Sequence, residues 1–450
     1  MTNKLVYEKP TIVRHTVGVM NKFGRPPATV PLATIEGKST KQLTEKYGSP
    51  LYILSESALR RRYREMQRAF SLRYPSAQIA YSYKTNYLSA VCSILHQEGA
   101  WAEVVSGFEY SIAEALGVPG EQIVFNGPYK TRDELTRAIQ NGSIVNIDNY
   151  DEMYLLEEIA REMGKTIEIG IRINMDLNYP PWHKFGFNLE SGHAFDAVRR
   201  AESNNLLKVV GLHCHAGTYI DDLEIYRNMA YKYVDFYRVI KSELGVHLKY
   251  WDVGGGYASE NTLHVAWQPA EQTCPTFDQY AEAICPILLS GPFESNEAPK
   301  LFMEPGRAIV DETMHLITTV VAQKRLPDGS RGIVLDAGMN LLSSVQWYKY
   351  NYQTAQESGQ MLEDTTIFGG LCMNIDVLRT GVQLPPLRRG DLLVVKDIGA
   401  YNLSQSWQFI YTRPTVLAIA ANGDEEIVRK KENVEFVRQM DVVPERFKIK

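Results

Sequence analysis

The sequence has only five cysteines in 450 residues, and their spacing is irregular. A disulfide framework needs paired cysteines in a small secreted chain, and a structural zinc site needs closely spaced CxxC pairs, so neither is indicated. No apolar run approaches the roughly 18–20 residues that span a bilayer. The opening stretch, MTNKLVYEKP, lacks the apolar segment of a secretory signal. We therefore expect a cytoplasmic protein with reduced thiols and no membrane partner.

An excess of positive charge is also absent. There are 48 Lys and Arg against 53 Asp and Glu, a formal net charge of −5. Nucleic acid and anionic membrane surfaces are therefore not favoured as partners. A hydrophobic content of 44% and a charged content of 22% are ordinary for a globular protein. The length suits two or three domains.

One pattern recurs about eight times between residues 78 and 307. A short β-branched or aromatic run is followed by a polar or glycine turn and then by an amphipathic helical stretch. Strands that alternate with helices predict a parallel sheet, and about eight units predict a closed (β/α)8 barrel of the α/β class. The runs are 79–84, 102–107, 123–127, 143–148, 167–174, 209–215, 250–256 and 301–306.

The pattern changes after about residue 310. Strand-length apolar runs such as LITTVVAQK, GIVLDAG and DLLVVKDIGAY follow one another with few helical stretches between them. This predicts a second, mostly β domain. The first 50 residues also have extended character. We therefore predict a barrel over residues 51–308 and a discontinuous β domain made of residues 1–50 and 309–450.

Polar residues or glycines stand at the C-terminal end of each predicted barrel strand, where barrel enzymes build their active sites. Strand ends are often polar simply because they meet loops, which accounts for Ser106 or Asp148. It does not account for a lysine, a histidine, a glycine run and a glutamate at one mouth. The residues in question are Lys84, Ser106, Asn126, Asp148, Arg172, Asn174, His215, Gly254–Gly256 and Glu304.

Two of these features suggest a bound cofactor. Period-two alternation puts Ala80, Ser82 and Lys84 on one small-residue face of the first strand. A lysine amine in such a place can form a Schiff base with an aldehyde cofactor. The glycine run in WDVGGGY would let backbone N–H groups approach an anion such as phosphate.

The remaining candidates leave alternatives open. His213 and His215 share a face, and an HxH pair can bind zinc, but no third Cys or His stands at a neighbouring strand end. Stacking of His215 on a planar ring is the better interpretation, with His213 as a structural histidine. Glu304, in EPGR, could keep a pyridine nitrogen protonated so that the ring accepts electrons.

A series of motifs along the chain carries a family resemblance. The sequence resembles the diaminopimelate and ornithine decarboxylase family, the fold-type III pyridoxal-phosphate decarboxylases, from about residue 45 to residue 420. The motifs are YSYKTN, VVSGFEY, FNGPYK, HKFGF, GLHCHAGT, DVGGGY, EPGR, LDAGM, GGLCMNID and DIGAY.

The resemblance implies an alanine-racemase-like barrel, pyridoxal 5'-phosphate and a homodimer with shared active sites. Lys84 would hold the cofactor, His215 would stack on its ring and Glu304 would pair with its nitrogen. Cys372, supplied by the partner subunit, would protonate the carbanion after carbon dioxide leaves. The cofactor phosphate and its surroundings would involve Thr218, Gly254, Gly255, Gly256, Gly306, Arg307 and Tyr401.

The resemblance also bears on the substrate. Diaminopimelate decarboxylases carry an arginine where an ungapped count places Ser344, and a glutamate where this chain has Met373. We therefore predict decarboxylation of another amino acid or conjugate, free or carrier-bound, in a specialised natural-product or siderophore-type pathway. The predicted substrate-binding residues are Arg307, Ser344, Tyr348, Met373 and Tyr401.

Four alternatives stand beside this prediction. If an insertion shifts the count, the chain is a meso-diaminopimelate decarboxylase. A racemase would be expected to place an arginine, not Glu304, at the ring nitrogen. A metal-dependent hydrolase would leave Lys84 and the glycine run unexplained. A non-catalytic homologue would be expected to have lost Lys84 or Cys372, and both are present.

Overall fold

A computed structural model describes residues 31–180, 182–293, 297–357 and 361–449. The first 30 residues, which the sequence prediction gives to the β domain, lie outside the described residues. The strands are β1 Thr34–Ile35, β2 Lys38–Ser39, β3 Leu51–Ser55, β4 Ala77–Ser82, β5 Trp101–Val104, β6 Ile123–Phe125, β7 Ile144–Ile147, β8 Ile167–Asn174, β9 Phe187–Asn188, β10 Leu207–His213, β11 Tyr250–Asp252, β12 Lys300–Met303, β13 Met314–Arg325, β14 Arg331–Leu335, β15 Tyr352–Thr354, β16 Glu363–Phe368, β17 Val377–Leu384, β18 Leu392–Val395, β19 Val416–Ile419 and β20 Glu425–Arg429. The helices are α1 Thr40–Tyr47, α2 Glu56–Ser71, α3 Ser89–Gln97, α4 Gly107–Ala115, α5 Arg132–Gln140, α6 Tyr150–Met163, α7 His193–Glu202, α8 Leu223–Leu244, α9 Ala270–Thr273, α10 Phe277–Leu289, α11 Arg307–Val310 and α12 Val434–Arg438.

Local sequence signals fix where the barrel helices begin and end. Thr131 and Glu134 form a reciprocal capping box at the start of α5, which satisfies backbone N–H groups that have no partner inside the helix. Gly164 and Gly245 end α6 and α8 in the left-handed conformation, which glycine adopts without steric cost. These stops return the chain to the next strand.

The predicted barrel is confirmed. Strands β4, β5, β6, β7, β8, β10, β11 and β12 pair in that order, each parallel to the next, and β12 pairs with β4 to close the ring. Each of the eight predicted runs overlaps one of these strands. Within the ring, Ala80, Val124, Val210, Tyr250 and Phe302 form a small apolar cluster. Ala80 belongs to the face predicted to point inward.

A second sheet of nine strands forms the mostly β domain, which is also confirmed. Its longest strand, β13, pairs antiparallel with β3, β14 and β18. The rest of the sheet continues from β14 through β16 to β17 on one side and from β3 through β19 to β20 on the other.

The predicted boundary at residue 51 differs from the strand pairing. Strand β3 pairs with β13 and β19, so Leu51–Ser55 is part of the second sheet rather than of the barrel. The alternating helix–strand pattern could not show this, because a buried strand before α2 looks the same in either sheet. We propose that the barrel unit begins after Ser55.

Candidate active site

A cavity of about 320 Å³ opens at the C-terminal end of the barrel strands. It is bounded by residues from several strand ends and by one residue of the β domain. The residues in its wall that the sequence analysis placed in the site are Lys84, Asn126, Arg172, His215, Thr218, Gly256, Glu304, Gly306, Arg307 and Tyr401. The predicted convergence of these residues is therefore seen in the structure, while Ser106 caps α4 and lies outside the wall.

Lys84 lies in a 3₁₀ turn directly after β4. Its Nζ donates to Ser82 Oγ at 2.7 Å and to Glu103 Oε2 at 2.9 Å. Burial by itself lowers the pKa of this amine, but the nearby charges of Glu103, Tyr401 and Glu304 outweigh it and raise the pKa above its usual value. The amine is therefore an ammonium in the free site, and Glu103 lies where it can accept a proton from it.

His215 presents an uncharged ring to the cavity. Its Nδ1 accepts a hydrogen bond from the backbone N–H of Gly255 at 3.0 Å. Burial, with the positive charge of Lys84 beside it, lowers the pKa of His215 well below the usual value. The Trp182 ring lies 5.1 Å away, centroid to centroid. A neutral imidazole fixed at its edge in this way is suited to packing against a planar ring.

Glu304 is buried and sits in a cluster of polar groups. His213 Nε2 lies 3.3 Å from Glu304 Oε2, and Asn126 Nδ2 donates to Glu304 Oε1 at 2.5 Å. Burial raises the pKa of Glu304, but His213 and Lys84 act against it, and the net pKa is well below the usual value. Glu304 is therefore ionised, as a partner of a protonated ring nitrogen must be. His213 contacts this carboxylate, a more specific role than the structural one predicted.

Asp252 lies beside Glu304, and the two carboxyl groups and His213 have atoms within 4.8 Å of one another. Burial and the charge of Glu304 raise the pKa of Asp252 well above its usual value. Asp252 is therefore neutral and can donate its proton to Glu304. Its other oxygen accepts from the N–H of Gly254 at 2.9 Å. His213 and neutral Asp252 therefore both stabilise the ionised carboxylate of Glu304.

The glycines leave room for an anion beside the cavity. Gly254 and Gly256 have φ of +64° and +95°, which a side chain would strain. A Cβ at Gly306 would collide with the Thr85 side chain. Thr85 Oγ1 and Arg307 Nη1 are both buried and have no hydrogen-bond partner among the described residues. Phosphate oxygens would satisfy both atoms, so the residues present fit pyridoxal phosphate.

Four residues of the β domain that were predicted to belong to the site are not in the cavity wall. Ser344 is buried, and its hydroxyl donates to the carbonyl of Ala400, so it faces the backbone rather than the cavity. The ring of Tyr348 lies 5.0 Å from the Arg307 guanidinium. Cys372 is exposed and Met373 half-buried. Neither is in the cavity wall described for one chain.

Some residues of the wall were not predicted to act. Glu103, Thr85, Trp182 and Lys184 all line the cavity. Glu103 could have been found from its sequence position, because an acidic residue inside a buried strand needs a partner. Trp182 and Lys184 lie in the irregular segment between β8 and β9, where no periodicity exists to place them.

Comparison with known proteins identifies the family of the chain. Residues 56–311 match the family model for the pyridoxal-binding domain of pyridoxal-dependent decarboxylases. A diaminopimelate decarboxylase of Methanocaldococcus jannaschii is 32% identical over 428 residues, which span 91% of this chain and 95% of that protein. One from Aquifex aeolicus is 31% identical, over 90% of this chain and 94% of that protein.

Solved structures give the same result. A crystal structure of the M. jannaschii diaminopimelate decarboxylase superposes with a TM-score of 0.84 at 30% identity, covering 92% of this chain and 96% of that chain. A second structure of that enzyme, in complex with L-lysine, has the same TM-score at 29% identity and covers 93% and 99% of the two chains.

Fold and site together define a barrel enzyme of the pyridoxal-phosphate class. The chain belongs to the pyridoxal-dependent decarboxylases of fold type III, and it is an amino-acid carboxy-lyase with pyridoxal 5'-phosphate as cofactor. This membership favours decarboxylation over the racemase and metal-hydrolase alternatives. In the described part of the chain, no helix has the length and apolar character needed to cross a membrane.

Proposed function

We propose that the chain decarboxylates meso-diaminopimelate, the alternative that the sequence left open. The observation that carries the proposal is its similarity, over about nine-tenths of its length, to proteins named diaminopimelate decarboxylases. The comparisons support this substrate better than the specialised pathway that the sequence favoured. Residues of the β domain at the expected substrate-binding positions bear on whether the chain shares the substrate of these relatives.

The proposed chemistry follows from the charges in the cavity. When bound, pyridoxal phosphate supplies a ring that accepts the electron pair left at Cα by the departing carboxylate. Lys84 would hold the cofactor, with Glu103 accepting the proton that its amine must lose. Ionised Glu304 would hold a proton at the ring nitrogen, which keeps the ring electron-poor. Neutral His215 would cover one face of the ring.

Arg307 offers a contact for an anionic group. Its guanidinium lies 5.0 Å from the rings of Tyr348 and Tyr401 and 5.7 Å from that of Tyr219. Its Nη2 donates to Thr218 Oγ1 at 3.4 Å, whereas Nη1 is buried without a partner in the described residues. A carboxylate or phosphate oxygen could accept a hydrogen bond from Nη1, which would give this nitrogen the partner that it lacks.

A second candidate is a substrate without a charged distal group. It is favoured by Ser344, which is turned toward the Ala400 carbonyl, and by Met373, whose thioether cannot pair with an ammonium. A site that lacks a charged partner for a substrate charge binds that substrate weakly, because the charge is desolvated without compensation. This candidate retains the prediction of an amino acid or conjugate other than diaminopimelate.

Steady-state kinetics on meso-diaminopimelate tests the proposal. A kcat/KM of about 10⁴ M⁻¹s⁻¹ or higher supports it. A value at least about 100-fold lower, together with faster turnover of an uncharged or conjugated amino acid, would contradict it. The variant Met373→Glu sharpens the decision. It should raise diaminopimelate turnover only if the second candidate is right, and Ser191→Glu, on an exposed loop, serves as the charge control.

We also propose a homodimer in which Cys372 of one subunit completes the cavity of the other. The support is that Cys372 is exposed and outside its own chain's cavity wall, although the family resemblance makes it the proton donor. The cytoplasmic location and a carrier-bound substrate stay predictions.

A further inference from the structure

Tyr250, Asn146 and Asn126 link the apolar interior of the barrel to two carboxylates of the site. Tyr250, a member of the apolar cluster inside the ring, donates from its hydroxyl to Asn146 Oδ1 at 2.7 Å. Asn146 Nδ2 donates to Asn126 Oδ1 at 2.8 Å. Asn126 Nδ2 then donates to Glu304 Oε1 at 2.5 Å and to Glu103 Oε1 at 3.1 Å. All five side chains are buried.

The direction of these hydrogen bonds is fixed from the carboxylate end. Ionised Glu304 can only accept, so Asn126 must turn its amide nitrogen toward it, and the amide oxygen of Asn126 then faces Asn146. Asn146 donates to that oxygen, which leaves its own amide oxygen for the hydroxyl of Tyr250. Burial, with Asp252 and Glu304 nearby, raises the pKa of Tyr250 well above its usual value, so its hydroxyl keeps the proton that it donates. The reverse orientation would put an amide oxygen against two carboxylate oxygens.

The two carboxylates would serve the two reactive ends of the cofactor. Glu304 is the predicted partner of the ring nitrogen, and Glu103 is paired with Lys84, the predicted attachment point. Hydrogen bonds to a carboxylate favour its ionised form. When Lys84 gives up its proton to hold the cofactor, Glu103 would accept that proton and would still be held in place by Ser82 and Asn126.

We propose that Asn126 is a positioning residue that holds Glu304 and Glu103 at a fixed separation and keeps Glu304 ionised, and that Asn146 and Tyr250 orient it. The inference rests on the cofactor and not on the identity of the substrate. Asn126 acts through Glu304 on the protonation of the ring nitrogen and through Glu103 on Lys84. It therefore belongs to the machinery of the reaction without touching the substrate.

Nitrogen-15 NMR of the holoenzyme loaded with ring-labelled pyridoxal phosphate tests this directly. In the unchanged protein we expect a protonated ring nitrogen near neutral pH. Asn126→Leu should move the resonance toward that of the neutral pyridine and weaken cofactor affinity by about tenfold or more, because two hydrogen bonds to charged groups are lost. Tyr250→Phe, which removes one hydroxyl, should shift both quantities in the same direction by about threefold or less.

Asn204→Leu is the matched control. Asn204 donates to the buried Glu157 at 2.9 Å, outside the barrel mouth, so its loss removes a similar bond but should leave the ring nitrogen unchanged. Thermal unfolding of each holoenzyme shows whether a variant folds. If Asn126→Leu does not fold, the measurements on Tyr250→Phe decide whether the proposal stands. A folded Asn126→Leu protein, or in its absence Tyr250→Phe, with an unshifted nitrogen resonance and unchanged affinity would overturn the proposal. If the unchanged protein does not turn over diaminopimelate although its ring nitrogen is protonated, the proposed substrate is wrong and this inference still stands.

Discussion

The barrel residues of the site are held in the cavity by their own chain, whereas Cys372 and Met373, two of the β-domain residues expected beside them, are not in the cavity wall. Lys84 and Glu304 each have two or more hydrogen-bond or ion-pair partners within 3.3 Å. Cys372 is exposed and Met373 half-buried, away from the cavity wall. The cofactor part of the site is thus preorganised in one chain, whereas in the dimer that we propose the partner subunit completes the part that acts on the substrate. Four experiments test this contrast.

Loss of Lys84 should have the largest effect. Lys84→Ala should abolish the visible absorbance of the lysine-bound cofactor and lower turnover by about 10³-fold or more, because the attachment point is gone. Lys249→Ala is the control, since Lys249 pairs with Glu168 at the opposite end of the strands. An absorbance spectrum and a carbon dioxide assay measure the two effects. Full activity in Lys84→Ala would refute the assignment.

Mixing two inactive proteins tests the β-domain half of the contrast. Lys84→Ala and Cys372→Ala, combined in equal amounts and allowed to exchange subunits, should recover up to about a quarter of the original activity. Half of the dimers are then hybrids, and each hybrid has one intact site of two. Either variant alone is the baseline. No recovery, with subunit exchange demonstrated by mass, would show that Cys372 serves its own chain's cavity or none.

Two adjacent carboxyl groups in the barrel should respond unequally. Glu304→Gln removes an ionised group and should lower kcat by about 10²-fold, because the ring nitrogen loses the charge that keeps its proton. Asp252→Asn replaces a group that is already neutral, so kcat should fall severalfold at most. Equal losses in the two variants would contradict the assigned protonation states. Cofactor content, measured by absorbance, separates lost binding from lost turnover.

Much of the barrel half was predictable from the sequence, because its signals are local. Strand runs, helix caps and the polar residue after each strand follow one another in a fixed order, which brings Lys84, His215 and Glu304 to one mouth. The role of Asn126 was not predictable, since it depends on contacts with Asn146 and Glu304, 20 and 178 positions away. Likewise, strand β3 joins the second sheet only through pairing with distant strands.

The smallest expected effect is a change in how the folding stability of the protein depends on pH, and it involves Glu109 in the barrel. Glu109, on α4, is buried and accepts a hydrogen bond from the N–H of Val105 at 2.9 Å. Burial raises its pKa to about 7, above the ordinary value of about 4.5. The native state therefore binds this proton more tightly than the unfolded state does. The contribution of protonated Glu109 to the free energy of unfolding is fully present below about pH 4.5 and is lost as the pH rises through about 7.

Glu109→Gln removes this titration while it keeps an oxygen for Val105. The variant should gain stability over the original protein as the pH rises from about 4.5 to 7, reaching at most about 3 kcal/mol and then levelling off. Chemical unfolding of the holoenzyme at several pH values measures the difference. Glu114→Gln, at an exposed position of the same helix, controls for the loss of one surface carboxylate. A stability difference that is independent of pH would show that Glu109 titrates normally and that its burial is compensated in the folded protein.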